Sequence, residues 1–312
     1  MLSQIGVTQV TIPLPFRLNH VNCFLAEGAR GWTIIDAGLN TEVSENIWKP
    51  IIEKHDVKDI IITHYHPDHF GFAGKLQELT NADVWMTEVD AQAGLSYWEP
   101  ESMECVKKNF YTYGLPQDNL SELIVDEERF LNRVQPYPMV NQYLTEGMKL
   151  LFGKHEYEVI FTPGHSDGLI TLYNNENSIL FSTDHILPRI SPNISYFFRG
   201  IRNPLESFFQ SLNKIKCLDA DVVIPSHGKP FRNANKRIEE LLAHHQERLE
   251  IVYQSIKQPS SIIEVSRQLF KNLTIHETRF AIGETLAHLE YLFLNQQCTR
   301  RFVNGTWFYE AV

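Results

Sequence analysis

Apolar residues run along this chain in short, β-branched stretches that stop abruptly on a polar residue. Asp59-Ile60-Ile61-Ile62-Thr63 stops at His64, and Glu158-Val159-Ile160-Phe161-Thr162 leads into Pro163-Gly164-His165. Ser178-Ile179-Leu180-Phe181-Ser182-Thr183 leads into Asp184-His185, and Asp221-Val222-Val223-Ile224-Pro225 into Ser226-His227-Gly228. Runs of this length and composition predict buried strands. Earlier strands are expected over 5–12, 21–27 and 31–35, the last ending at Asp36-Ala37-Gly38. Helical periodicity follows over 41–54 and, after the strand at 59–63, from Pro67 to Leu79; a short strand is expected over 83–87. Pro67 suits the first turn of a helix, where its missing N–H costs nothing. Two hairpin-connected strands giving way to strand–helix alternation predict a mixed sheet.

From about 89 to 140 the pattern changes. Tyr97, Trp98, Phe110, Tyr111, Tyr113, Phe130 and Tyr137 are set among charges and prolines with patchy helical spacing. Such a segment fits a helical cap over a site, or an ordinary helical connection packed on the core. A charged helix is expected over about 231–257, with Ile238, Leu241, Leu242, Leu249 and Val252 as its apolar stripe, and Pro259 breaks it. Two helices (261–270 and 275–296) and a hairpin across Asn304-Gly305 complete a winged-helix-like order. The expected organisation is a catalytic domain over residues 1–230, a linking helix over 231–258 and a small C-terminal domain over 259–312.

Composition narrows the function. With 312 residues, 43% of them hydrophobic, the chain can bury a large core. A formal net charge of −10 argues against general nucleic-acid affinity, which depends on basic charge. Cys23, Cys105, Cys217 and Cys298 are scattered, without the paired spacing of zinc clamps or redox sites, and are expected as free thiols. No stretch approaches the roughly 18 apolar residues of a membrane span, and the first residues carry no secretory pattern. The expectation is a soluble cytoplasmic protein without membrane partners.

The chemistry centres on His64-Tyr65-His66-Pro67-Asp68-His69. His64 and His66, two apart on extended backbone, point to one side, while Asp68 and His69 at a helix start diverge toward a neighbouring point. One ion cannot easily use all four, but two adjacent ions can. His165, Asp184 and His227, each at a strand end, are the candidate partners. Five imidazoles and two carboxylates, without a thiolate, suit zinc, with manganese or iron as alternatives.

The order HxHxDH, then PGH, then a strand-end Asp, then SHG resembles the metallo-β-lactamase superfamily over roughly residues 5–230. Within it, the run from Asp184 to Ser195 is similar to a group of uncharacterised bacterial hydrolases. The tail after Pro259 resembles the C-terminal domain of the β-lactamase-like protein 2 group, which includes endoribonucleases. The resemblance implies an α/β (α+β) fold, a four-layer αββα sandwich with its site at one edge. It also implies a binuclear centre: His64, His66 and His165 hold one ion, Asp68, His69 and His227 the other, and Asp184 bridges. His66 stands where flavodiiron oxygen reductases carry a Glu, which argues against a redox di-iron role.

The expected reaction is hydrolysis, with a metal-activated hydroxide attacking an ester, thioester or lactone of a small anionic substrate, and Asp68 orienting it and shuttling the proton. A metal-dependent nuclease acting on RNA or single-stranded nucleic acid is the alternative. A nucleic-acid-docking protein with a structural metal site is the non-enzymatic one. The tail weighs against both: Arg267, Lys271, Arg279, Arg300 and Arg301 are balanced by Glu264, Glu277, Glu284, Glu290 and Glu310. The tail then reads as a packing or dimerisation element, and a homodimer is an open expectation. Tyr65, His185, Arg189 and Asn193 are candidate substrate residues, with packing roles open for Tyr65 and His185 and a solvated surface role for Arg189. Asp36 is a candidate to orient a ligand imidazole, or a simple turn residue.

Overall fold

The computed structural model describes residues 1–97, 100–113, 131–271 and 273–312. Its framework is two six-stranded mixed sheets packed face to face. The first has the order β1 (Val7–Pro13), β2 (His20–Glu27), β3 (Trp32–Ile35), β4 (Val57–Ile61), β5 (Asp83–Met86) and β6 (Val140–Tyr143). The second runs β12 (Phe231–Arg232), β11 (Val222–Pro225), β10 (Ile179–Thr183), β9 (Ile170–Asn174), β8 (His155–Phe161) and β7 (Lys149–Phe152).

Alternation along the strands sorts side chains into layers. Phe24, Ala26, Ile35 and Ile61 of the first sheet meet Tyr157, Val159, Leu172, Phe181 and Ile224 of the second in a central core. The intervening residues Cys23, Leu25, Ile34 and Ile60 face outward, packed with Trp48 of α1 (Glu42–Ile52) and Leu76 of α3 (Ala73–Thr80). On the far side Leu180 and Val223 face Phe208 and Leu212 of α6 (Pro204–Lys216) and Ile238 and Leu241 of α7 (Ala234–Ser255). This is the expected αββα order.

The helix expected from Pro67 to Leu79 is instead two, α2 (Pro67–Phe70) and α3. The loop after β3 takes the backbone bonds that would join them: Ala37 N–H donates to the His69 carbonyl, and Phe72 N–H to the Gly38 carbonyl, both at 2.8 Å. Within the segment read as a cap lie α4 (Glu88–Ser96) and α5 (Pro100–Thr112); Trp98, Phe130 and the rest of 114–130 fall outside the described residues. The linking helix begins later than expected, at Ala234, because Phe231–Arg232 pairs with β11 first. Beyond it come α8 (Ile262–Leu269), α9 (Ile275–Leu294) and the hairpin β14 (Cys298–Val303) and β15 (Thr306–Ala311), with the two-residue β13 (Ser260–Ser261) against β15. Among the described residues no helix is long and apolar enough to cross a membrane.

Topology brings the chemistry to one edge. Strands β3 and β4 are parallel, so Asp36 and His64 emerge together. Strand β8 runs antiparallel to β9, and β9 to β10, so β8 and β10 end on the same side; β10 and β11 are parallel, with Thr183 opposite Pro225. His165, Asp184 and His227 therefore leave the second sheet at one rim. Asn22 on β2 stitches the sheets there, its amide N–H donating to the Ser226 carbonyl at 2.7 Å and its side-chain Nδ2 to that of Gly228 at 2.9 Å.

The rings of Phe24, Phe152 and Tyr157 surround Phe181 at 5.1, 5.8 and 5.3 Å between centroids, and Phe181 is 1% exposed. Phe181→Ala is expected to cost about 3–5 kcal/mol, the usual range for emptying such a position. Urea unfolding of the two chains measures the difference.

Candidate metal centre

Four of the five imidazoles at the rim have their outer nitrogen tied to a fixed acceptor. His69 Nδ1 donates to Asp36 Oδ2 at 2.7 Å, His165 Nδ1 to the Asn193 carbonyl at 2.8 Å, and His227 Nδ1 to the His20 carbonyl at 2.6 Å. The single proton of Thr63 Oγ1 goes to Asp36 Oδ2 at 2.9 Å, so the hydroxyl accepts from His64 Nδ1 at 3.0 Å. In all four rings Nδ1 therefore carries a proton, and Nε2 is the nitrogen that faces the interior.

Those Nε2 atoms converge. Asp184 Oδ2 lies 3.5 Å from Nε2 of His69, 3.5 Å from that of His165 and 3.3 Å from that of His227. Asp68 Oδ2 is 3.4 Å from His227 Nε2 and 3.8 Å from His69 Nε2. These spacings exceed good hydrogen bonds but match ligands about 2.0–2.1 Å from a tetrahedral ion, which stand about 3.4 Å apart. His66 Nδ1 is 2.8 Å from His165 Nε2. Buried Nε2 atoms of His64, His69 and His227, and Oδ1 of Asp184, have no hydrogen-bond partner among the described residues. Leaving four such groups unsatisfied would be costly, and bound divalent cations would satisfy them. Ligand atoms of His64, His66 and His165 cluster within 4.8 Å, as do those of Asp68, His69 and His227, and those of His64, His69 and Asp184.

The electrostatics fit a cation. Burial and neighbouring imidazoles hold His64 and His66 well below the ordinary imidazole range, the neutral form that ligation needs. Burial raises the Asp68 carboxyl, but His69 and His227 outweigh it and bring its pKa down to about 2. For Asp184 burial again opposes, and His227 and His69 hold it well below the carboxylate range. Both acids are thus ionised, and they act on the rings in return. Burial opposes, but Asp36, Asp184 and Asp68 raise His69 well above the imidazole range, and Asp184 and Asp68 raise His227 to about 10. The Nε2 atoms of these two rings therefore hold protons that a cation would displace.

The remaining sequence candidates divide. Tyr65 is nearly buried, its ring 4.9 Å from that of His66 and within 6.3 Å of those of Tyr97 and Phe197, forming an aromatic wall beside the cluster. Burial pushes its pKa well up, so its hydroxyl stays a donor. His185 is fully buried against Phe208, which places it in the core rather than where a substrate could reach it. Arg189 is exposed on the loop after Asp184. Asn193 touches the cluster through its backbone carbonyl, with its side chain turned toward α9. Asp36 takes the orienting role, receiving both the N–H and the hydroxyl of Thr63 as well as His69.

Sequence reading missed Asp90. From α4 its carboxylate accepts from Tyr65 N at 3.2 Å, Ser166 Oγ at 2.6 Å and Gly168 N at 2.7 Å, clamping the two ligand loops together. Beside it, Gly164 has φ +142°, and a Cβ there would lie 2.6 Å from Phe208 Cβ, so only glycine delivers His165 along this path.

The chain matches known families over most of its length. Residues 17–227 match the Metallo-beta-lactamase superfamily, and residues 249–312 match the Metallo-beta-lactamase-like, C-terminal domain. The solved structure of a metallo-beta-lactamase family protein from Thermus thermophilus superposes with a TM-score of 0.86 at 32% identity, covering 98% of this chain and 99% of that one. A probable metallo-hydrolase of Bacillus subtilis, YqjP, is 24% identical over 98% of each chain. A hydroxyacylglutathione hydrolase of Bdellovibrio bacteriovorus is 25% identical over 55% of this chain and 49% of its own length.

Asp36 adopts φ 60°, a conformation asparagine also tolerates, so Asp36→Asn keeps the turn while removing the charge that holds His69. Its zinc affinity, measured by competition with a chromophoric chelator, is expected to fall about 10- to 100-fold.

Proposed function

Since the chain belongs to the metallo-beta-lactamase superfamily and is a metallo-hydrolase, we propose that it is a binuclear zinc enzyme that hydrolyses a thioester, ester or lactone of a small anionic substrate. The observation that carries this is the set of four imidazoles fixed through Nδ1 with their Nε2 atoms facing two ionised carboxylates. In this assignment His64, His66 and His165 would hold one ion and Asp68, His69 and His227 the other, with Asp184 available to both, in keeping with the grouping of their ligand atoms. Bound divalent ions would bring the pKa of a water to about 7 and polarise a carbonyl oxygen. Two such ions against two carboxylates leave a charge of about +2, which favours an anionic substrate and the charge developing on an acyl oxygen.

The chain's own residues divide the remaining work. Asp68 is the more open of the two acids, its side chain 19% exposed against 7% for Asp184. In this reading it accepts a proton from a water at the solvent side and returns it to the leaving group. The hydroxyl of Tyr65, kept protonated, and the rings of Tyr97 and Phe197 offer a wall for the acyl portion. The hydroxyacylglutathione hydrolase relative supports placing thioesters first among the three bonds. Charge placement disfavours the nuclease reading: Arg300 and Arg301 on the C-terminal hairpin are paired with Glu290 and Glu310.

The test is a panel of acyl-glutathione thioesters, lactones, phosphodiesters and RNA, with the purified protein before and after chelation. Thioester or lactone turnover, lost with the metal and restored by zinc, is the expected result; turnover confined to RNA or phosphodiesters would overturn the assignment. Asp68→Ala and Asp184→Ala are both expected to abolish turnover and to lower the metal content measured by atomic emission.

A further inference from the structure

The loop that follows Asp184 is fastened to the C-terminal helix α9. Asn193 gives its backbone carbonyl to His165 Nδ1, while its side-chain Nδ2 donates to Glu284 Oε2 at 3.1 Å and to the Phe280 carbonyl at 3.4 Å. Its Oδ1 accepts from Ser195 Oγ, and Tyr196 N–H donates to the Gly283 carbonyl at 3.0 Å. Gly283 permits this approach, since a Cβ there would stand 2.7 Å from Ser195 Oγ.

Glu284 is 6% exposed, and its other oxygen accepts from Arg248 Nη1 of α7 at 2.6 Å. One turn along, His288 donates Nδ1 to the Glu284 carbonyl at 2.7 Å and turns Nε2 toward His245 Nδ1 of α7, 3.2 Å away. A buried carboxylate costs several kcal/mol unless its charge and lone pairs are met, so it is a poor choice for filling a helix interface. Here both oxygens are committed, one to fix α9 against α7 and one to hold Asn193. His245, Glu284 and His288 also bring ligand-type atoms within 4.8 Å of one another. The Arg248 guanidinium already occupies Glu284 and would repel a divalent ion there, so this trio fastens α9 to α7.

We propose that Glu284 is a positioning residue for the metal centre: through the side chain of Asn193 it fixes the carbonyl that holds His165 Nδ1, and so sets the direction of the His165 lone pair. The C-terminal segment thereby becomes part of the hydrolytic site without touching substrate. It rests on the assignment of His165 as a ligand.

The test uses the full chain loaded with zinc and then titrated with a competing chelator, so that the affinity of each ion is read separately from turnover. Glu284→Ala and Asn193→Ala cut the tether from opposite ends. Each is expected to weaken one of the two zinc ions about 10- to 100-fold and leave the other unchanged. Glu284→Gln, which keeps an oxygen for Asn193 Nδ2, is expected to recover most of that affinity. His165→Ala identifies the ion concerned. If His165→Ala loses one zinc while both tether variants keep wild-type affinity and show only a lower melting temperature, the positioning role is overturned and the ligand assignment stands. If His165→Ala also keeps both ions, the ligand assignment fails and the proposal with it.

Discussion

A histidine can aim one lone pair inward only if the proton on its other nitrogen has somewhere to go, and the rim of this sandwich is built around that requirement. Thr63, Asp36, Asn193 and His20 each supply an acceptor behind one ring. Two of the four are backbone carbonyls, so the loops themselves, and not only side chains, define the ligand directions. The same constraint explains why the expected long helix after Pro67 is broken. Continuing it would take the His69 and Phe72 backbone away from the Asp36–Gly38 turn that holds the His69 ring in place.

From that requirement the architecture follows. Acceptors and ligands come from both sheets, so the sheets must be registered at one edge, and Asn22, Asp90 and the apolar layer around Phe181 do this from three directions. The central core supplies stability without specifying any ligand. The few polar groups at the rim supply direction and contribute little to the core, a division that lets loops set substrate choice over a constant frame.

Much of the frame was legible in the chain because its signals are local. Runs of β-branched residues ending at His64, His165, Asp184 and His227 mark strands and rim alike, and Asn304-Gly305 marks the last hairpin. Other elements escaped for physical reasons. Strands β6 and β7 are four-residue edges with half-exposed patterns, and β9 is buried throughout and shows no alternation. Helix α6 carries a capping Asn203, Pro204 in its first turn and a stripe through Leu205, Phe208 and Leu212, but the Pro-, Ser- and Asn-rich loop ahead of it obscures its start. Asp90 and Glu284 could not be found by spacing, since their partners lie 25 to 91 residues away. His185 follows Asp184 in the chain yet lies buried against Phe208, in keeping with the packing role left open for it beside the substrate one.

The proposed two-ion centre is tested most directly by anomalous diffraction at the zinc edge from crystals of the full chain grown with zinc. The account requires two peaks, one among His64, His66 and His165 and one among Asp68, His69 and His227, with Asp184 reaching both. A single peak, or peaks away from these seven side chains, would contradict it.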